Sequence, residues 1–280
     1  MERKNKHVIL VAGYRRGGTN ILWNLIQSHP NICTPINETG QIFNRNWKLR
    51  LIKTFPYLFK GEKSNSLIDN ELFKCKLQTL LHEENKYKRP DKLYTKEEVE
   101  NSWLCLKSVD EDIYMTSRIL DVYPDLILIV LTRNGYALAE SFKRRGKSLN
   151  QSANLYSDIA KSFYNFAEKA ENSLFIKFED VLKDPFLMAN KLFTFLKITP
   201  ANLELLRFKS KKVVDKKGEH HVTFGDENKK YWFNKENIGD FMDPDVNKKQ
   251  LSRLSRDEIE KFNGIAGETL KSFGYKPIEV

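Results

Sequence analysis

The feature that most constrains the fold is a short apolar run that leads through a glycine-rich loop into an amphipathic segment. The run extends from Val8 to Ala12 and ends at Gly13, and the amphipathic segment covers residues 19–29. An uninterrupted apolar run of this length is typical of a strand buried in a parallel sheet. The segment after the loop predicts a helix, because its apolar residues recur at helical spacing. These residues are Ile21, Leu22, Leu25 and Ile26.

Further strands and helices are predicted in the same order along the chain. Residues 126–131 predict a buried strand before a helix at 136–145, and residues 174–178 predict another strand before a second helix. Residues 103–106 predict one more strand. Alternating strands and helices predict an α/β fold with a central parallel sheet flanked by helices, and such sheets bind ligands beyond the carboxyl ends of their strands. The helix after the strand at residues 174–178 is expected to begin at Asp184-Pro185 and to end near residue 197. It is expected to bury Phe186, Leu192, Phe193 and Leu196.

We predict one domain, residues 1–280, because no internal repeat, low-complexity tract or linker divides the chain. Residues 41–102 are mostly helical in pattern, and we interpret them as a variable insertion on the substrate side. No segment has the roughly 18 uncharged apolar residues of a transmembrane helix, and Arg15-Arg16 stands where an export signal would be cleaved. Three cysteines are too few for a disulfide framework, so we expect a cytoplasmic protein.

The chain is basic, with 47 Lys and Arg against 37 Asp and Glu and a formal net charge of +10. This charge is explained equally well by solubility or by an anionic ligand. A basic run lies between residues 207 and 217, but no aromatic residues interleave Lys209 to Lys217 and no nucleic-acid-binding motif accompanies them. We therefore expect no nucleic-acid partner.

The glycine-rich loop has the composition of an anion-binding cradle. Backbone N–H groups at the start of a helix, together with the helix dipole, attract negative charge, and Arg16 adds a guanidinium. The loop also resembles the nucleotide P-loop GxxxxGK[ST], with matches at Gly13 and Gly18. It departs from that motif where Thr19-Asn20 replaces the lysine and hydroxyl residue that bind phosphate and magnesium. A P-loop kinase therefore stays open as the weaker alternative.

A second candidate anion site follows the strand at residues 126–131. Arg133 stands at the end of this strand, and Ser141 lies eight residues later on the predicted helix. An arginine and a hydroxyl in these positions can hold a separate phosphate group. Two anion sites at neighbouring strand ends indicate an elongated nucleotide ligand.

At these residues the chain resembles the sulfotransferases that use 3′-phosphoadenosine 5′-phosphosulfate (PAPS). Their phosphosulfate loop is usually written G-x-x-R-S-G-T-T-L-L and leads to His-Pro, their 3′-phosphate element has an arginine eight residues before a serine, and a later segment reads Y-E-D-L-x-x-D-P. The corresponding stretches here are Gly13–Leu22 with His29-Pro30, Leu131–Arg133 with Ser141, Phe178–Pro185, and the terminal Ser272–Tyr275.

The resemblance implies a role for each site residue. Glu38, in the stretch Asn37-Glu38-Thr39, resembles the base of the tyrosylprotein branch, and Lys107 resembles the lysine that this branch places against the sulfuryl group. Gly17 and Asn20 depart from the hydroxyl residues usual in the family. The donor would then be held at the phosphosulfate by Arg16, Gly17, Gly18, Thr19 and Asn20 and at the 3′-phosphate by Arg133 and Ser141, with Lys216, Lys217, Lys229 or Lys230 as candidates for a further phosphate-binding motif.

The expected activity is transfer of a sulfuryl group from PAPS to an acceptor hydroxyl. We favour a saccharide or glycolipid precursor as acceptor, because the loop resembles the glycan and tyrosylprotein branches; a protein tyrosine or a small phenol or alcohol is the alternative. A non-catalytic nucleotide-binding protein also stays open. We predict no metal site, because His7 and His82 are isolated and His220-His221 lacks a third ligand; His29 is a rival base to Glu38.

Overall fold

A computed structural model describes residues 2–35, 37–81, 93–198, 203–208, 212–214, 220–223 and 232–279. Its centre is a five-stranded sheet in the order β2-β3-β1-β4-β5, in which every pair of neighbours is parallel. The predicted α/β fold with a central parallel sheet flanked by helices is thereby confirmed. The strands are β1 (Val8–Gly13), β2 (Ile32–Cys33), β3 (Trp103–Val109), β4 (Ile127–Thr132) and β5 (Asn172–Lys177).

The sheet divides the core into two layers, because successive strand residues point to opposite faces. In β1, Leu10 and Ala12 enter one hydrophobic cluster, whereas Ile9 and Val11 enter the other. Both faces are covered by helices, so the strand carries no polar side chain. This two-sided burial explains why the strand sequence is continuously apolar rather than alternating.

Nine of the described helices pack on, or next to, the face that contains Leu10 and Ala12. Four others cover the face that contains Ile9 and Val11. The first set is α2 (Thr39–Arg45), α3 (Trp47–Thr54), α4 (Glu62–Leu81), α5 (Lys96–Asn101), α6 (Met115–Val122), α7 (Gly135–Lys143), α8 (Leu149–Lys169), α12 (Val246–Leu251) and α13 (Arg256–Ser272), and the second is α1 (Thr19–Gln27), α9 (Phe178–Lys183), α10 (Pro185–Phe195) and α11 (Lys235–Phe241).

Several short elements connect this framework. A 3-10 helix, Asp110–Tyr114, follows β3. Two small antiparallel pairs lie outside the main sheet: β6 (Leu206–Arg207) with β9 (Trp232–Phe233), and β7 (Lys212–Val214) with β8 (His220–Thr223). No helix within the described ranges combines the length and the apolar character that crossing a lipid bilayer requires.

The sequence-based prediction located the main strands but missed several elements, among them β2, α8 and α9. β2 is only two residues long and has no pattern of its own. The helix α9 begins directly after β5, in a stretch before Asp184 for which the sequence analysis predicted no helix. The long helix α8 was not predicted, although Ser148 and Gln151 form a capping box at its start. The predicted inward residues of α10 are all buried: Phe186, Leu192, Phe193 and Leu196.

Asp184 gives a direct test of how α10 begins. Its exposed side chain accepts a hydrogen bond from the backbone N–H of Leu187, at 2.9 Å. We expect Asp184→Ala to lower the free energy of unfolding by about 1 kcal/mol, because the amide loses its cap. Asp184→Asn is the matched control and should stay near wild type, since asparagine caps equally well. Urea denaturation of both variants measures the effect; equal losses in both would contradict the capping role.

Candidate active site

The loop between β1 and α1 brings its backbone close to neighbouring groups. At Gly18, where φ is +90°, a Cβ atom would lie 2.2 Å from the ring of Phe178. A Cβ on Gly17 would lie 2.8 Å from the carbonyl oxygen of Tyr14. Arg16 also adopts a left-handed conformation, with φ of 68°. Glycine therefore fits the conformation and the packing at these positions, and a side chain at either one would force neighbouring atoms to move.

The start of α1 suits a negatively charged ligand. Gly18 is its N-cap residue and offers no capping side chain, and the first turn has no acidic residue. The first backbone N–H groups of a helix have no partner within the helix, and the helix dipole adds positive potential there. Among the predicted loop residues, Thr19 is buried and Asn20 is exposed.

Additional arginines increase the positive charge beside this loop. The Arg16 side chain is exposed, and its pKa is lowered by partial burial and by repulsion from Arg145 and Arg144. These two residues follow α7, so the end of that helix lies close enough to the loop to act on it electrostatically. Like charges near one another are unfavourable for the protein alone, and a bound anion would reduce that repulsion.

Three of the predicted site residues meet on one side of the loop. The Lys107 ammonium group donates to Oε1 of Glu38 at 2.7 Å and to Oδ1 of Asn20. Lys107 is 2% exposed, and its Nζ atom lies 4.7 Å from the centre of the Trp23 ring. The ring therefore covers one side of the ammonium group and helps to shield the cation from water. The structure thus brings together a buried cation, a carboxylate and the first turn of α1.

Glu38 keeps access to solvent while its backbone is held in place. It is the N-cap residue of α2, and its N–H donates to the side chain of Gln41 at 3.3 Å. The next residue, Thr39, donates its hydroxyl to the Lys107 carbonyl oxygen at 3.1 Å, which ties α2 to β3. The Glu38 side chain is 31% exposed. A carboxylate held beside a cation and open to solvent can accept a proton from an incoming ligand.

Arg133 lies on the other side of the loop, beyond the end of β4. Its guanidinium donates to the carbonyl oxygen of Arg16, to Oδ1 of Asn247 at 2.7 and 2.9 Å, and to Oε1 of Gln250 at 2.6 Å. It also lies 4.4 Å from the centre of the Phe178 ring. Burial lowers the Arg133 pKa to about 10, and nearby Glu179 opposes this shift. The side chain therefore remains charged at neutral pH.

Ser141 lies on α7, the helix that follows Arg133, as its spacing predicted. It is buried in α7, and it is not among the hydrogen-bond partners of Arg133. The neighbouring Glu140 accepts a hydrogen bond from Gln250 at 3.1 Å, so α12 packs across this part of α7. In this structure the amide side chains of α12, rather than the serine, complete the surroundings of the arginine.

The sequence analysis missed Glu179 as an organising residue. Its carboxylate accepts from the backbone N–H of Asn134 at 3.0 Å, from the Tyr275 hydroxyl at 2.8 Å and from the Asn247 amide. Residues 178–185 and 272–275, which contain Glu179 and Tyr275, resemble segments of a known family. This resemblance is the sequence signal that could have identified the contact between them. Asn247 and Gln250 gave no signal, because a short polar helix resembles any surface segment.

Of the remaining sequence candidates, His29 is described by the structure, whereas several others lie outside the described residues. His29 is 2% exposed, packs against Phe193 with the ring centres 4.9 Å apart, and accepts a hydrogen bond from the Asn31 amide at 3.1 Å. These contacts describe a structural residue. Within the described part of the chain, no group of three or more potential metal-ligating side chains converges. The candidates that lie outside the described residues are His82, Lys216, Lys217, Lys229 and Lys230.

Comparison with known proteins gives the same family from two overlapping parts of the chain. Residues 9–201 match the description "Sulfotransferase family". Residues 131–274 match the description "Sulfotransferase domain". The first match alone covers more than half of the chain and includes Asn20, Glu38, Lys107 and Arg133. No curated protein matches the sequence.

Solved structures share this fold at low sequence identity. The sulfotransferase domain of the Synechococcus PCC 7002 olefin synthase is 18% identical, with a TM-score of 0.56, over 95% of this chain and 97% of that chain. The sulfotransferase domain of the curacin biosynthetic pathway is 15% identical, with the same TM-score, over 98% of this chain and 100% of that chain. These likenesses establish the architecture, and the site residues are argued from the contacts above.

The contact between Gly18 and Phe178 can be tested through stability. We expect Gly18→Ala to lower the free energy of unfolding by about 2–4 kcal/mol, because it adds both backbone strain and a clash with the ring. Gly146→Ala is the matched control: Gly146 has a similar φ of +84°, but no atom lies within 4 Å of its added Cβ. Gly146→Ala should lower the free energy of unfolding by about 1 kcal/mol, because it adds only backbone strain. Equal losses in chemical denaturation would contradict a packing requirement at Gly18.

Proposed function

The chain belongs to the sulfotransferase family, and from this we propose that it transfers the sulfuryl group of PAPS to the hydroxyl of a saccharide or glycolipid precursor. The observation that carries the proposal is the meeting of Glu38, Lys107 and Asn20 beside the first turn of α1. A base, a buried cation and an anion-binding helix start are the three groups that sulfuryl transfer requires at one place.

The residues of the loop fit the anionic half of the donor. Gly17 and Gly18 leave the backbone of the loop without side chains, and the first turn of α1 carries no opposing acid. The adjacent Arg16 is repelled by Arg144 and Arg145, and a bound anion would relieve that repulsion. We propose that the phosphosulfate is held here by Arg16, Gly17, Gly18, Thr19 and Asn20.

Arg133 and Ser141 are proposed to hold the 3′-phosphate. Arg133 is already hydrogen-bonded, but two of its acceptors are the neutral amide oxygens of Asn247 and Gln250. A phosphate is a stronger acceptor for a guanidinium than an amide because the hydrogen bond is charge-assisted on both sides. The amides would therefore preserve the orientation of the arginine until the phosphate takes their place.

The chemistry follows from the pair Glu38 and Lys107. The bound donor supplies the sulfuryl group and a phosphate as the leaving group. Glu38 accepts the proton of the acceptor hydroxyl, so that the oxygen can attack as its negative charge develops. Lys107, shielded from water by Trp23, donates hydrogen bonds to the negative charge that grows on the transferring group and the leaving oxygen. The ammonium group supplies this charge without a metal.

The proposed acceptor class is supported by the resemblance of the β1–α1 loop to the glycan and tyrosylprotein branches of the family. Arg16 occupies the position at which the glycan and tyrosylprotein branches carry arginine and the small-phenol branch usually carries lysine. The family match favours this transferase activity over the kinase and the non-catalytic binding protein that the sequence left open. The substitution of Thr19 for the P-loop lysine agrees with that preference.

Binding of the reaction product tests the proposed donor site. We expect Arg133→Ala to weaken binding of adenosine 3′,5′-bisphosphate by about 1.5–3 kcal/mol, because a charge-assisted contact is lost. Adenosine 5′-monophosphate is the matched control ligand, since it lacks the 3′-phosphate, and its affinity should change little. Isothermal titration calorimetry measures both. If Arg133→Ala weakened both ligands equally, the arginine would act through the fold of the loop rather than on the 3′-phosphate.

The proposed base is tested by kinetics. We expect Glu38→Gln to lower kcat by about 10²–10⁴-fold, because the amide cannot accept the proton, while bisphosphate affinity stays unchanged. Glu97→Gln, on α5, is the matched control and should retain the wild-type rate. Transfer of label from radiolabelled PAPS to the best acceptor of a saccharide and glycolipid panel, with EDTA present, provides the assay. A kcat unaffected by Glu38→Gln would place the base elsewhere.

A further inference from the structure

Exposed large apolar side chains concentrate in one short segment. Within the described residues, twelve such side chains are exposed, and six of them lie between residues 47 and 59. Apolar exposure this dense marks an interaction surface, whereas single exposed residues are ordinary. We call this set the aromatic lip. Its members are Trp47, Leu51, Phe55, Tyr57, Leu58 and Phe59, of which Tyr57 is 82% exposed and Leu58 is 77% exposed.

The exposure of the aromatic lip follows from how α3 is anchored. Leu49 and Ile52 of the same helix are buried at 1% and 2% exposure, so one face of α3 already packs on the core. Lys53 adds an ion pair to Asp112 at 2.7 Å. The apolar residues of the lip therefore lie on the remaining faces of a helix that is already fixed, and in the turn that follows it. The core gives them nothing to pack against.

Cations interleave with the lip. Lys48 and Arg50 are exposed on α3, and Lys60 follows the lip. The Lys48 and Lys60 ammonium groups lie 5.6 and 5.4 Å from the centres of the Trp47 and Tyr57 rings. No Asp or Glu occurs between residues 39 and 61. Aromatic and aliphatic side chains bordered by lysine and arginine fit the boundary of an anionic bilayer, where rings and hydrocarbon enter the acyl region and cations meet the headgroups.

The lip lies next to the entrance of the site. Only α2 and Asn46 separate Glu38 from Trp47, and the seven residues of α2 span about 10 Å. The partner of Lys53, Asp112, presses against the first turn of α2, where a Cβ on Gly40 would lie 1.8 Å from its carboxylate. A surface held by the lip would consequently lie one short helix away from the solvent-accessible carboxylate of Glu38.

We propose that the aromatic lip docks this protein on an anionic lipid bilayer and that the acceptor hydroxyl is carried by a lipid of that bilayer. The docking stands on the lip alone, and the lipid-borne acceptor rests on the proposed function. The lip supplies apolar contact, its cations supply attraction to anionic headgroups, and the neighbouring α2 places the base beside the membrane surface.

Vesicle flotation tests the docking without donor or acceptor present. The probes are vesicles of phosphatidylcholine alone and of phosphatidylcholine mixed with phosphatidylglycerol. Wild-type protein should float with the mixed vesicles, bind the neutral ones weakly, and dissociate as salt rises. The triple variant Trp47→Ser, Tyr57→Ser, Leu58→Ser should lose binding at least tenfold. The matched control carries serine at three exposed apolar positions elsewhere, Leu93, Leu187 and Ile265, and should bind like wild type.

Three outcomes would overturn the docking. Wild-type protein could fail to float with either vesicle, or the lip variant could float as well as wild type. Alternatively, sedimentation velocity could show that the wild-type protein self-associates and that the lip variant is monomeric, while neither binds vesicles. That result would assign the lip to contact with a second copy of this chain. Calorimetry with adenosine 3′,5′-bisphosphate on the same variants keeps the proposed function separate, because the lip variant should retain wild-type affinity. With docking intact, a preference for soluble saccharides over bilayer-embedded glycolipids would overturn the lipid-borne acceptor.

Discussion

The architecture of the site depends on the hydrogen bonds and the ring packing of the Arg133 guanidinium. Burying an arginine is costly, and the cost is offset only when its hydrogen bonds are made and its plane is packed. Here the acceptors come from the β1–α1 loop and from α12, and the packing comes from the Phe178 ring. One side chain thus joins three segments that are distant in sequence. The same ring also leaves no space for a side chain on Gly18, so the loop and the arginine constrain each other.

Lys107, on the other side of β1, is a second buried cation whose charge must be compensated. A lysine in the middle of a buried strand would be strongly unfavourable without compensation. Its ammonium group instead reaches the edge of the sheet, where Glu38 and Asn20 accept its hydrogen bonds, and Trp23 packs beside it. The arrangement leaves a positive charge with little water around it. Such a charge interacts more strongly with a developing negative charge than an exposed lysine would.

What could be predicted from the sequence depended on the range of the interactions. The strand and helix around Val8–Gln27 were predictable, because burial on two faces and helical spacing both leave local patterns. The N-cap at Asp184 was predictable for the same reason. The surroundings of Arg133 were not, because Asn247 and Gln250 approach it from more than a hundred residues away. The motifs identified Glu38 and Lys107 as separate candidates, and only the fold shows that they are hydrogen-bonded to each other.

The strand order explains why the two halves of a bisubstrate reaction can meet at the β1–α1 loop. In the order β2-β3-β1-β4-β5, β1 lies between the strand that carries Lys107 and the strand that ends before Arg133. An elongated anion bound at the loop can therefore extend towards β4, where hydrogen bonds from Arg133 to α12 orient its guanidinium. In the proposed reaction, the acceptor would bind on the opposite side, next to β3. That side carries Glu38 and α2, and the chain continues from it directly into the exposed aromatic surface of α3. Because parallel strands end at one edge, a single sheet can position both ligands without a second domain.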